Sequence, residues 1–200
     1  MQGEIDTSFT TNQRDLFTSG MAAQIGMNAF GVWLAIKSHA DFNDGEAWPG
    51  IRRLAEMTGL GKSTVDRTIQ TLIDAKLLRV LATGKGHKTS RYIARERLDV
   101  KLGGRVLCTI VVDYVPAILR EKLDRIKSAL VAGKPDPQAF AEVDIIPGSG
   151  FVWNEKEGML KASIPASELP AAVIDSNESK MLTDLQKKAQ QMKLKATGKG

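Results

Sequence analysis

The sequence predicts an α+β fold, and three observations carry that expectation. Between residues 51 and 73, apolar side chains recur at helical spacing on both sides of a glycine turn. Two strand-like runs follow at once, separated by a glycine-broken basic loop at residues 83–88. Positive charge also gathers there. Residues 51–97 hold eleven Lys or Arg against four acids, an excess of seven where the whole chain has five. Helix, turn, helix and basic hairpin in that order are the plan of a winged helix-turn-helix, expected over residues 20–97.

Taken along the chain, residues 1–19 are polar and read as an N-terminal arm. Residues 21–39 predict one helix, with Ala22, Ile25, Ala29, Phe30, Trp33 and Ile36 near one face. Phe30 and Trp33 are expected to be core anchors. A second, short helix carries Ile51, Leu54, Ala55 and Met57 and stops at Gly59, a residue free to take positive φ. Leu60 and Gly61 cross the turn. Lys62 or Ser63 opens a third helix that turns Val65, Ile69, Leu72 and Ile73 inward. Its other side presents Lys62, Ser63, Thr64, Asp66, Arg67 and Gln70. Residues 77–81 and 91–95 are the two wing strands.

Residues 98–170 change character and predict a small α/β domain. A β-branched strand spans 105–114, Pro116 suits the first turn of a helix over 117–132, and residues 133–137 break the chain. Strands at 140–146 and 151–154 and a hairpin return at 159–164 complete it. The strand around Val111 and the helix around Leu123 are expected to pair two copies. A fragment ending near residue 99 is expected to fold alone. Residues 171–200 form a basic tail, partly helical over 179–194 with Met181, Leu182, Leu185 and Met192 apolar.

The side chains facing away from the third helix are of the types that read DNA. Arg67 can pair with two guanine acceptors and Gln70 with adenine, while Ser63 and Thr64 can bond phosphate at the helix start. Lys62 adds charge. Asp66 dissents, and either accepts from a cytosine amino group or orients Arg67. Lys85, His87, Lys88 and Arg91 in the wing, with Arg52 and Arg53 on the preceding helix, are candidates for neighbouring phosphates.

Other function classes find little support. No apolar run approaches the ~20 residues that span a bilayer, and the acidic N-terminus is unlike a secretory signal. A cytoplasmic protein is expected. Cys108 lies in an apolar run and reads as a buried thiol. Residues 84–89 contain part of a phosphate-loop motif but lie between strands, so no nucleotide is expected. His39, His87 and Cys108 do not have zinc spacing. Tyr92 and Tyr114 stand isolated, and the pairs Asp41 with Asp44 and Asp136 with Asp144 lack bracketing ligands. No catalytic residue, metal or cofactor is expected.

The stretch ADFNDGEAWP at 40–49, then LAEMTGL at 54–60, then Ser63-Thr64-Val65 with Arg67, resembles the helix-turn-helix domain common in plasmid and phage replication proteins. Gene regulators of mobile elements share that domain. The resemblance covers residues 20–97, and Gly50 stands where the family usually has a capping serine. It implies double-stranded DNA as ligand and origin binding or replication initiation, with a replication-machinery partner, as the leading role. A repressor of plasmid maintenance or transfer genes is the competing role. A winged helix that docks protein is a remoter one.

Overall fold

The computed structural model of the chain describes residues 10–83, 89–132 and 136–163. Three helices open it: α1 (Asp15–Thr18), α2 (Met21–Ile25) and α3 (Met27–Lys37). The single helix expected over 21–39 is thus divided. Gly26 sits at φ 81° and ψ 157°, an extended left-handed conformation that no helix contains and that glycine reaches without steric cost. The apolar face survives the break, because Ala29, Phe30, Trp33 and Ile36 are all buried.

β1 (Glu46–Ala47), α4 (Ile51–Thr58), α5 (Lys62–Asp74), β2 (Leu78–Ala82) and β3 (Arg91–Leu102) follow. β4 (Arg105–Asp113), α6 (Leu119–Ala132), β5 (Val143–Pro147), β6 (Phe151–Asn154) and β7 (Met159–Ala162) complete the order. Helix α6 starts two residues later than expected. Phe140 lies outside β5, because Glu142 takes a left-handed φ of 56° just before that strand. Phe140 packs edge-on against Trp153 instead, at 4.9 Å between ring centroids.

β3 organises the sheet. Its first half pairs antiparallel with β1 and with β2, its second half with β4, and β4 in turn pairs with β5. Tyr114 N–H donates to Ala94 O, whereas Arg95 N–H donates to Leu77 O. Successive residues of a strand bond to opposite sides, so β4 continues the edge that β1 begins, opposite β2.

The boundary expected at residue 97 falls inside this strand, and the two halves share one core. Trp33 Nε1–H donates to Leu77 O at 3.1 Å, tying α3 to the wing strands. Two residues on from Ala94, Glu96 is buried against Lys37, with Nζ to Oε1 at 2.5 Å. The Lys37 ammonium also lies 4.3 Å and 4.0 Å from the Trp33 and Tyr114 ring centroids. It donates as well to Thr11 O and Asn12 Oδ1. The described end of the expected N-terminal arm is therefore packed: Leu16 is buried, and Asp15 Oδ2 accepts the Asp99 N–H at 3.0 Å.

Val111, expected in a contact between copies, is fully buried, and its strand β4 has β3 on one side and β5 on the other. It cannot face a partner. The expected tail at 171–200 lies outside the described residues.

Candidate nucleic-acid interface

Helix α4 ends where Gly59 turns left-handed at φ 70°. Leu60 and Gly61 carry the chain into α5, where Thr64 and Val65 N–H both donate to Gly61 O. Val65, Thr68, Ile69 and Leu72 seat α5 on the core. The opposite face is set by that seating: Lys62, Ser63, Asp66, Arg67 and Gln70 are exposed and Thr64 is half-buried. The helix N-terminus has no side-chain cap. Its positive end and first amides are thus unopposed by any side chain of the helix cap.

The exposed side chains are partly pre-arranged. Arg67 Nε donates to Ser63 O at 3.3 Å, one turn back, instead of meeting Asp66. That sets aside the expectation that Asp66 orients Arg67 and leaves the two terminal guanidinium nitrogens unpaired among the described residues. Gln70 Nε2 donates to Asp74 Oδ1 at 2.8 Å, so reading a base with Gln70 requires breaking that bond. Arg52 and Arg53, on the first turn of α4, share Glu56 at 3.0 Å and 3.9 Å. Both remain mostly solvent-exposed, so the pairs cost little to exchange for phosphate.

In the wing, Lys85, His87 and Lys88 lie outside the described residues. Arg91 begins β3 and is held by Glu46 of β1, with Nε 3.0 Å from Oε2. This contact raises the already high pKa of the guanidinium, chiefly through the hydrogen bond and attraction of that carboxylate. Arg79 pairs with Asp113, and the buried Arg95 bridges Asp113 at 2.9 Å and Asp144 at 2.8 Å.

These acids, Glu46, Asp113 and Asp144, all lie outside residues 51–97. A charge count confined to the motif therefore overstates its free positive charge. Arg97 is also committed, donating from Nη1 to Ala75 O at 3.2 Å. The unpaired cations of the described motif are concentrated on α5 and its end: Lys62, Arg67 and Lys76.

Side chains weighed for chemistry have structural employment. Tyr92 and Tyr114 are buried in the core. Asp41 Oδ1 accepts the Asn43 and Asp44 N–H groups, and Asp44 Oδ1 accepts that of Glu46, shaping the loop before β1. Asp136 accepts the Ala139 N–H, and His39 Nδ1 lies 2.9 Å from Ala35 O. Burial, with Asp99 nearby, pushes the Cys108 thiol up to about 11.

The sequence reading missed the Lys37–Glu96 pair, though a signal existed. Lys37 falls one turn after Trp33 and two after Phe30, on the face those residues bury, and Glu96 follows Tyr92 and Ala94 at strand spacing.

Residues 23–78 match a family model described as a helix-turn-helix domain. The match spans α2 to the start of β2 and ends before β3. No curated protein and no solved structure matches the chain. No helix of the described residues is long and apolar enough to cross a membrane. The chain carries a helix-turn-helix domain, and DNA is the partner class such a domain supports.

Proposed function

We propose that this chain is a sequence-specific binder of double-stranded DNA that lays α5 in the major groove and the wing along the adjacent backbone. One observation carries the reading. α5 is fixed by its buried face while Lys62, Ser63 and Arg67 stand exposed on the other, beside an uncapped N-terminus. A helix fits a groove ~12 Å wide, in which each base pair presents a distinct pattern of donors and acceptors. Lys62 and the helix amides suit a phosphate, and Arg67, with its terminal nitrogens unpaired, suits a guanine edge.

The resemblance of residues 20–97 favours origin binding or replication initiation on a plasmid or phage, by a cytoplasmic binding protein without catalytic chemistry. Two chains on two half-sites complete the proposal. Titration of labelled duplex, random and native flanking, at several salt concentrations tests it. Affinity should fall steeply with salt as neutralised phosphates release counterions. Footprints on direct repeats beside the gene support the origin role. A footprint on one palindrome over a promoter overturns that role in favour of repression, and salt-independent or absent binding to every duplex overturns DNA binding itself.

A further inference from the structure

Of the three tryptophans, Trp33 is fully buried and donates its Nε1–H to Leu77 O, whereas Trp48 is 57 % exposed. The Trp48 indole N–H has no acceptor among the described residues. Fixed neighbours hold the side chain outside. Ala47 before it and Pro49 after it are buried, so the alternation of an extended chain turns Trp48 outward.

β1 runs antiparallel to β3 with Ala47 opposite Tyr92, and the next pair in that register is Trp48 and Arg91. Directly opposed residues share a face of a sheet, and Arg91 is exposed like Trp48. Two residues on, Gly50 approaches Thr89, and a Cβ built on it would lie 3.2 Å from Thr89 Cγ2. The start of α4 therefore meets the returning side of the wing, and Trp48 stands exposed beside that contact.

We propose that Trp48 is a DNA-contact residue whose indole lies on the sugar–phosphate backbone at the base of the wing, a role that rests on the groove-bound α5 proposed above. Placement is the first argument. The eight residues of α4 extend ~12 Å, with Trp48 near one end and the turn into α5 at the other. That separation matches the ~12 Å width of the major groove. With the start of α5 in the groove, Trp48 falls at the backbone on its edge, where the wing lies.

Chemistry is the second argument. Arg91, opposite Trp48, is engaged by Glu46, with Nε 3.0 Å from Oε2, so the base of the wing offers little free charge. An indole offers instead an apolar face for deoxyribose and one N–H for a phosphate oxygen. Arg52 and Arg53 share the single carboxylate of Glu56, which leaves one positive charge unanswered on the adjoining turn of α4.

The test reads acrylamide quenching of the native chain and of Trp48→Phe, with and without saturating random duplex. Acrylamide is neutral and leaves salt-dependent binding undisturbed. Duplex should shield a quenchable component of the native emission that Trp48→Phe lacks. Trp48→Ala should weaken random and native flanking duplex alike, by about five- to tenfold. Its salt dependence should match that of the native chain, because an indole neutralises no phosphate. Should Trp48→Ala melt earlier than the native chain, the quenching comparison decides, since Trp48→Phe keeps an aromatic ring.

Duplex binding that leaves Trp48 fully quenchable overturns the inference while the α5 reading stands, and so does unchanged affinity in Trp48→Ala. A loss confined to the native flanking duplex makes Trp48 a base reader and overturns the backbone role. A weaker salt dependence assigns the effect to displaced arginines and overturns it too. Absence of binding to every duplex by the native chain overturns both readings.

Discussion

Replacing Lys37 by Met tests the joint between the helix-turn-helix and the sheet. Lys37 and Glu96 are each about 1 % exposed, and Glu96 Oε2 already lacks a partner among the described residues. Methionine matches the lysine stem, so packing changes little. What changes is charge: the Glu96 carboxylate is left buried with no counterion. Breaking a buried pair in this way costs about 3–5 kcal/mol. Thr11 O and Asn12 Oδ1 also lose a donor, but both residues are exposed and water replaces it.

The pH dependence has a definite sign. Burial pushes the Glu96 carboxyl above its usual range, outweighing the attraction of Lys37, and pushes the Lys37 ammonium below its own. Without Lys37 the carboxyl rises further. The folded variant then holds the Glu96 proton more tightly than the unfolded chain, whose carboxyl titrates near about 4.3. Stability of Lys37→Met therefore increases as pH falls through the folded pKa and levels off below the unfolded one. Urea midpoints at pH 7.5 and pH 5 measure this. Lys37→Met combined with Glu96→Leu should recover the loss and can exceed the native chain by about 1–4 kcal/mol, because neither charge is then desolvated. A single-variant loss below about 0.5 kcal/mol, the scale of a neutral surface change, would refute the reasoning. An equal loss at both pH values, or no recovery in the double variant, would refute it too.

Arg67→Ala should weaken cognate duplex by about 1–3 kcal/mol and random duplex little, in competition titrations; equal losses would make Arg67 a phosphate clamp. Gly45→Ala should destabilise by roughly 1–3 kcal/mol, since Gly45 has φ 74° and a Cβ there would lie 2.3 Å from Tyr114 O. Gly50→Ser should instead change stability by less than about 0.5 kcal/mol, its φ of −69° suiting any residue and the few tenths gained as a helix cap being offset by a Cβ 3.2 Å from Thr89 Cγ2; thermal melts of both distinguish them. Cys108, with its thiol held near 11, should react with a thiol reagent at pH 8 only as fast as the chain unfolds. A fragment ending at residue 99 should show no cooperative unfolding, because it loses β4 and strips one edge from β3.

Where one face of a helix is buried and the other wet, the sequence was legible. Leu54, Val65, Ile69, Leu72, Phe30 and Trp33 are inside as their spacing requires, and Gly59 ends α4 in the conformation glycine favours. The outward face of α5 was legible for the same reason. Gly26 was not, because an interior glycine is compatible with a continuous helix until tertiary contacts choose otherwise. Nor was the start of β5, where a left-handed Glu142 leaves no compositional mark.

The larger misreading concerned how residues far apart in sequence share charge. Arg79, Arg91 and Arg95 contributed to the basic appearance of the wing, yet each is answered by an acid that topology delivers from another element. Glu46 comes from β1, Asp113 from β4 and Asp144 from β5. A net charge counted along a segment measures a surface only if the segment's ions stay on it. Here the sheet sets three of them beside acids of other elements, burying only Arg95, so the wing strands are partly neutralised and the free cations are those of α5. That redistribution assigns the strand arginines to architecture and narrows the DNA-facing set. Of the described cations of the motif, Lys62 and Arg67 stand both unpaired and on the outward face of α5. Arg52 and Arg53 can be recruited from α4 at small cost.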